Sequence, residues 1–163
     1  MTNANVGTMQ PSEIVFNLRT RPDPLIEDSY MSKPQFFVSP GYGQRFLDEL
    51  HFSQAVRIGD RVEISGQGGW TDELDIPNQV EEEIAQAFRN VERALALAGA
   101  NWSHVYHVNS YHVGGFPPEV NTTMTTLFRE NMPDNAPIWT QIGVDALGLP
   151  KMRVEIRVTA HVG

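Results

Sequence analysis

Cysteine is absent from the 163 residues, which excludes disulfides, thiolate metal sites and a Cys nucleophile. Basic side chains are few: 12 Lys and Arg stand against 20 Asp and Glu, a formal net charge of −8. That balance repels polyphosphates and anionic lipid surfaces, so neither a nucleic acid nor a membrane is an expected partner. There is no run of the roughly 18 consecutive apolar residues that a membrane helix needs, and no basic start leading into an apolar stretch, so the expected compartment is the cytoplasm. The glycine-rich stretch Gly66-Gln67-Gly68-Gly69 has neither dinucleotide-fingerprint spacing nor a Lys-Ser/Thr pair. It reads as a bulge or a close backbone approach, not a phosphate cradle. The histidines (His51, His104, His107, His112 and His161) form no H-E-x-x-H pattern. His107 and His112 differ in strand parity and point to opposite faces, so no metal site is expected. A single pocket histidine, His112 or His107, stays open.

What is present suits one domain with its own core, at 40% hydrophobic and 20% charged residues. Residues 1–35, with Pro11, Pro22, Pro24 and Pro34, read as an extended or partly disordered arm in which Ile14-Val15-Phe16 could form an edge strand. The domain then occupies 36–163. Ser39-Pro40-Gly41-Tyr42-Gly43 reads as a loop. Apolar runs on either side of Gly59-Asp60 predict a hairpin over Ser53–Arg57 and Arg61–Ser65.

A helix is predicted from about Gln79 to Ala98, capped by Asn78 with Glu81 behind it and stopped by Gly99. Its stripe is Val80, Ile84, Ala87, Phe88, Val91, Ala94, Leu95 and Ala98. Glu81, Glu82 and Glu83 read as a solvated helix start. A strand follows from His104 to Val113, then a helix after Pro117-Pro118 presenting Val120, Met124, Leu127 and Phe128, then a short strand around Pro137–Gln141. The last strand alternates Met152, Val154, Ile156, Val158, Ala160 and Val162 against Arg153, Glu155, Arg157, Thr159 and His161. Hairpin, helix, strand, helix, strand, strand implies an α+β fold, a single mixed sheet with two helices on one face. The other face is left bare and is expected to expose Trp139 and neighbouring apolar residues, which for such a chain means self-association.

From about Phe52 to Val162 the chain resembles the Rid family, also called YjgF or UK114. The residues that carry the resemblance are Gly59-Asp60 with Ile64-Ser65-Gly66-Gln67, Ala87-Phe88-Arg89-Asn90-Val91 leading to Leu97-Ala98-Gly99-Ala100, Val120-Asn121 with Phe128, Ala136-Pro137 with Gly143-Val144, and Val154-Glu155-Ile156. The resemblance implies a chorismate-mutase-like homotrimer with its helices outside and ligand clefts between subunits. It also implies cofactor-free deamination of enamines or imines such as 2-aminoacrylate. Carried over by position, Ser65, Gly66 and Asn121 are site residues and Glu155 is the water-handling carboxylate. Two positions depart from the family pattern. Trp139 stands where a carboxylate-clamping arginine belongs, and Phe52 replaces a pocket tyrosine. A tryptophan offers one N–H and a flat apolar surface where a guanidinium gives a bidentate pair. The expected ligand is therefore larger or more apolar than a 2-imino acid, held by Phe52, Gly66, Trp139, Thr140, Gln141 and His112.

Each assignment has a plainer rival. Glu155 between Arg153 and Arg157 could be a rung of a salt-bridge ladder. Ser65 lacks a partner base and is not expected to be a nucleophile. Asn121 could bond a nearby backbone group, and Trp139 and Trp70 could be core or interface aromatics. At the level of function the rivals are a trimeric ligand-binding or chaperone-like protein without chemistry, and an endoribonuclease, which the net charge and the lack of a basic-aromatic stripe disfavour.

Overall fold

The computed structural model describes residues 33–163; most of the arm read over 1–35, with its possible strand at Ile14–Phe16, lies outside the described residues. Seven strands form one sheet in the order β1-β2-β3-β7-β5-β6. They are β1 (Gln35–Phe37), β2 (Ala55–Ile58), β3 (Arg61–Ile64), β4 (Gln67–Gly68), β5 (Val105–Val113), β6 (Ile138–Val144) and β7 (Val154–His161), with β4 paired to β7 beyond the end of β3. β5 and β6 run parallel and the other pairs antiparallel, so the sheet is mixed, as expected. Three α-helices accompany it: α1 (Tyr42–Leu50), α2 (Val80–Leu97) and α3 (Pro118–Asn131). Among the described residues no helix is long and apolar enough to cross a membrane.

The alternation of β7 does what a period of two requires: Val154, Ile156, Val158 and Ala160 are buried against α2 and α3, and Val62, Ile64, Val105 and Val108 join them from the neighbouring strands. The α2 stripe from Ile84 to Ala98 closes this core from above. The helix stops as Gly99 predicts. With φ at +76°, its N–H reaches Ala96 O at 3.1 Å, and Ala100 N–H reaches Leu95 O at 3.0 Å, a Schellman turn. Trp102, Phe88, Phe128 and Trp139 form a row of ring contacts with centroids 4.7, 5.5 and 5.1 Å apart, tying α2 and α3 to β6.

Four expectations need correcting. The stretch beginning at Ser39 is not simply a loop, because Tyr42 opens α1, and Tyr42 and Phe46, one turn apart, pack on Trp70 and Met152 as a satellite cluster. Among the described residues the α-helices therefore number three, not two. Asn78 does not cap α2: Gln79 holds the N-cap position and no side chain bonds there. Glu83 is not part of a solvated helix start, since it is 0% exposed and paired with Arg153 at 2.6 Å. Finally, Trp139 does not lie on the bare face. Its register places it beside Val108 and so beside Val158 in the core; Ile138, 65% exposed, and Ile142 are the apolar residues of β6 left uncovered.

Candidate active site

Residues paired across strands share a face of the sheet, so the register sorts the candidate residues into two groups. On the open face, Ile142, Tyr111, Glu155 and Gly68 form one row across β6, β5, β7 and β4. Thr140 lies one row away with Asn109 and Arg157. On the helix side, Gln141 and Ser110 share a row with Ile156, and Trp139 and His112 lie on either side of it.

Glu155 is half-buried, and burial raises its pKa above the usual carboxylate value. Among the described residues no hydrogen-bond donor reaches its carboxylate. A Cβ at Gly66 would stand 2.2 Å from Glu155 Oε1, so the carboxylate occupies space that only glycine leaves free. The glycine run is thus a device for close approach: at Gly69, likewise, a Cβ would meet Glu83 O at 2.1 Å. Gly66→Ala is expected to displace the Glu155 carboxylate, because the atoms in the way are the end of a flexible side chain. The melting temperature should move little, and a G66A crystal structure with the Glu155 carboxylate in its native position would contradict the close approach.

Ser65 sits next to this niche with its hydroxyl committed. It accepts from Gln67 Nε2 at 3.0 Å and donates to Gln54 O at 3.4 Å, which leaves it a fixed polar group. Gln67 is held from behind by Tyr42 Oη, which donates to Gln67 Oε1 at 3.0 Å. Phe52 stacks on Phe46 with centroids 5.6 Å apart and lines a cleft of about 560 Å³ with Ser65, Phe36 and Val56.

The second group is joined by hydrogen bonds. Trp139 Nε1–H donates to Ser110 Oγ at 2.9 Å, and Ser110 Oγ lies 2.9 Å from His112 Nε2. Gln141 Nε2 reaches His112 Nε2 at 3.4 Å and Asn121 Oδ1 at 3.0 Å. Burial lowers the His112 pKa to about 4, so the ring is neutral near pH 7. Because Ser110 and Gln141 both have protons to give, Nε2 is assigned as the acceptor and Nδ1 as the protonated nitrogen. Gln141 Oε1 and Asn121 Nδ2 remain unengaged among the described residues, an acceptor and a donor.

One chain therefore brings Ser65, Gly66 and Glu155 together, with Phe52 near Ser65, and separately brings Asn121, Trp139, Gln141 and His112 together, but it does not join the groups. Ser110 and Tyr111 escaped the sequence reading, and Gln67 entered it only as part of the Ile64-Ser65-Gly66-Gln67 motif. For Ser110 the signal was its parity with His112, and for Tyr111 its place at the centre of β5. Among the described residues no group of three or more His, Asp or Glu side chains is arranged to hold a metal ion.

A mixed sheet with helices over one face is the α+β fold of the YjgF/Rid proteins. The family model described as Endoribonuclease L-PSP matches residues 43–162, and the chain belongs to that family. A 2-iminobutanoate/2-iminopropanoate deaminase from Dermatophagoides farinae is 34% identical over 111 residues, 64% of this chain and 80% of its own. The RutC family protein YjgH of Escherichia coli K12 is 29% identical over 130 residues, 77% and 93% of the two chains. Among solved structures, protein YjgH superposes with a TM-score of 0.62 at 26% identity over 80% of this chain and 94% of that one. A Mycobacterium tuberculosis member of the YjgF/YER057c/UK114 family gives 0.65 at 23% identity over 80% and 100%, which is likeness of fold.

Proposed function

We propose that the protein is a cofactor-free enzyme that hydrolyses an imine or enamine, in a site completed when the open face of one copy meets the Trp139 edge of another in a homotrimer. The observation that carries this reading is the Glu155 niche: a half-buried carboxylate, unpaired among the described residues, with its pKa raised and its space secured by Gly66. A salt-bridge ladder is the weaker account, because the arginines flanking it are committed elsewhere. Arg153 pairs with Glu83 at 2.6 Å and Arg157 with Glu63 at 2.7 Å.

In the reaction, Glu155 takes a proton from water as the oxygen attacks the imine carbon and the C=N electron pair moves to nitrogen, which receives the proton. The carbinolamine then collapses: its hydroxyl proton passes through the carboxylate to nitrogen, the C–N bond breaks, and a carbonyl compound and ammonia leave. A raised pKa suits a group that must accept and return a proton near neutral pH. In this reading Ser65 and the Gln141 and Asn121 amides orient water or ligand.

Substrate size is the direct test. Imino acids can be generated in place by an amino-acid oxidase acting on alanine or phenylalanine, with ammonia release followed. Because Trp139 replaces the clamping arginine, the alanine-derived imine and 2-aminoacrylate should be hydrolysed little faster than in buffer, whereas the phenylalanine-derived imine should be accelerated. Equal acceleration of all three would overturn the reading of Trp139. Binding of aromatic carboxylates with no acceleration of any imine would leave a binding protein. An RNA substrate finds little here, since Arg61 and Arg157 on the open face both pair with Glu63.

A further inference from the structure

Trp139 forms one wall of a cleft of about 440 Å³ between the C-terminal half of α3 and the segment over 132–137, with Phe128, Met132, Pro133 and Pro137 as its other apolar surfaces. The indole is fixed in place. Phe128 meets it edge-on at 5.1 Å and 80°, and its N–H is held by Ser110. A rigid ring presented to a cleft of this size is a stacking surface for a flat ligand.

The polar groups at this cleft are Thr125, Arg129, Asp134 and Asn135. Asn135 Nδ2 is occupied by Val105 O at 2.8 Å. Arg129 is different: it gives one nitrogen to Thr125 O in its own helix at 3.2 Å, and among the described residues it enters no ion pair. The cations that sequence alone would nominate as substitutes for the lost clamp, Arg153 and Arg157, are already neutralised. Arg153 is further tied to the carbonyls of Pro77 and Asn78.

We propose that Arg129, on α3 and not on the strand, is the anion-binding group of this protein, and that the cleft it shares with Trp139 takes an aromatic monocarboxylate. The inference rests on the reading of Trp139 as a ligand-stacking residue and adds the group that fixes the charge. The ring lies on the indole and the carboxylate meets the free guanidinium nitrogens, whose planar fork suits it. Asp134 lines the same cleft, which favours a ligand with one negative charge over one with two.

The test uses indole-3-acetate and its neutral isostere indole-3-acetamide on the full chain, with affinity from calorimetry and the three tryptophan indole N–H signals followed by NMR. The acid should bind and move the signal that disappears in W139F. R129Q should weaken acid binding about tenfold or more, the scale of a lost charge-assisted hydrogen bond, and leave the weaker amide binding unchanged. R89Q, which removes an arginine outside the cleft, should bind the acid like the native protein. If W139F abolishes binding and R129Q does not, the stacking role of Trp139 stands and the Arg129 assignment falls. If acid and amide bind alike, the assignment falls too; if the Trp139 signal never moves, both readings fall.

Discussion

Glu155→Gln is expected to lower turnover of an aromatic imine about 10²–10⁴-fold while changing the affinity for an aromatic carboxylate far less, the pattern of a group that acts in the transition state. In the native protein, turnover should rise with pH as Glu155 ionises, with a midpoint above that of an ordinary carboxylate because burial raises its pKa. The same substitution carries a stability signature. A carboxyl whose pKa is higher folded than unfolded binds more protons in the native state, so stability falls as pH rises from the unfolded pKa through the folded one. At neutral pH the ionised, half-buried Glu155 is a net cost, and E155Q should melt higher than the native protein, the difference vanishing below the unfolded carboxylate pKa. Lower melting at pH 7 would show that the carboxylate is paired in the assembled protein and is structural. A site residue that costs stability is what a functional group held in a tight niche looks like.

Glu83→Ala is expected to cost about 3 kcal/mol of folding stability, read from the urea midpoint. The Glu83 carboxylate accepts from Arg153 N–H at 2.6 Å, Arg153 Nε at 2.6 Å and Val154 N–H at 3.1 Å. Removing it strands two backbone donors and a guanidinium whose other nitrogens hold Pro77 O and Asn78 O. The figure sits at the lower end for a broken buried pair because Arg153 is 32% exposed and water can replace part of what is lost. Glu83→Gln keeps an acceptor for the backbone and should cost clearly less; equal losses for the two variants would mean that the charge, not the acceptor geometry, holds α2 to the start of β7.

Most of the fold was legible because one face of each long element is buried. β7 and α2 each repeat their apolar positions over enough residues for the period to be unmistakable. Where both parities are apolar, as at Ile138, Trp139 and Ile142 in β6, the sequence cannot say which side faces the core, and the orientation of Trp139 was misread for that reason. In β5 a bulge shifts the pairing between Val105 and His107, so the buried Val105 and Val108 stand at odd spacing; beyond the bulge Val108, Ser110 and His112 alternate regularly, but a polar serine and histidine on the buried parity carry no apolar signal. α1 has nine residues and opens among turn-forming Pro40 and Gly41, too short a stretch for a periodic signal. Glu83 hid in an acidic run, although it falls on the α2 stripe between Val80 and Ala87. Of the site, the Ser65-Gly66-Glu155 group was legible through resemblance. The split between that group and Trp139 was not, because it depends on strand register.

That split gives the most direct test of the account. Within one chain Glu155 faces the open side and Trp139 the helix side, so the proposed site takes Glu155 from one copy and Trp139 from another. Glu155→Gln and Trp139→Ala proteins, each inactive alone on the phenylalanine-derived imine, should be unfolded together and refolded as a mixture. The account predicts that activity returns, because an interface between an unlike pair can contain both native residues. A mixture that forms mixed oligomers yet is no more active than its two components would contradict a site shared between subunits.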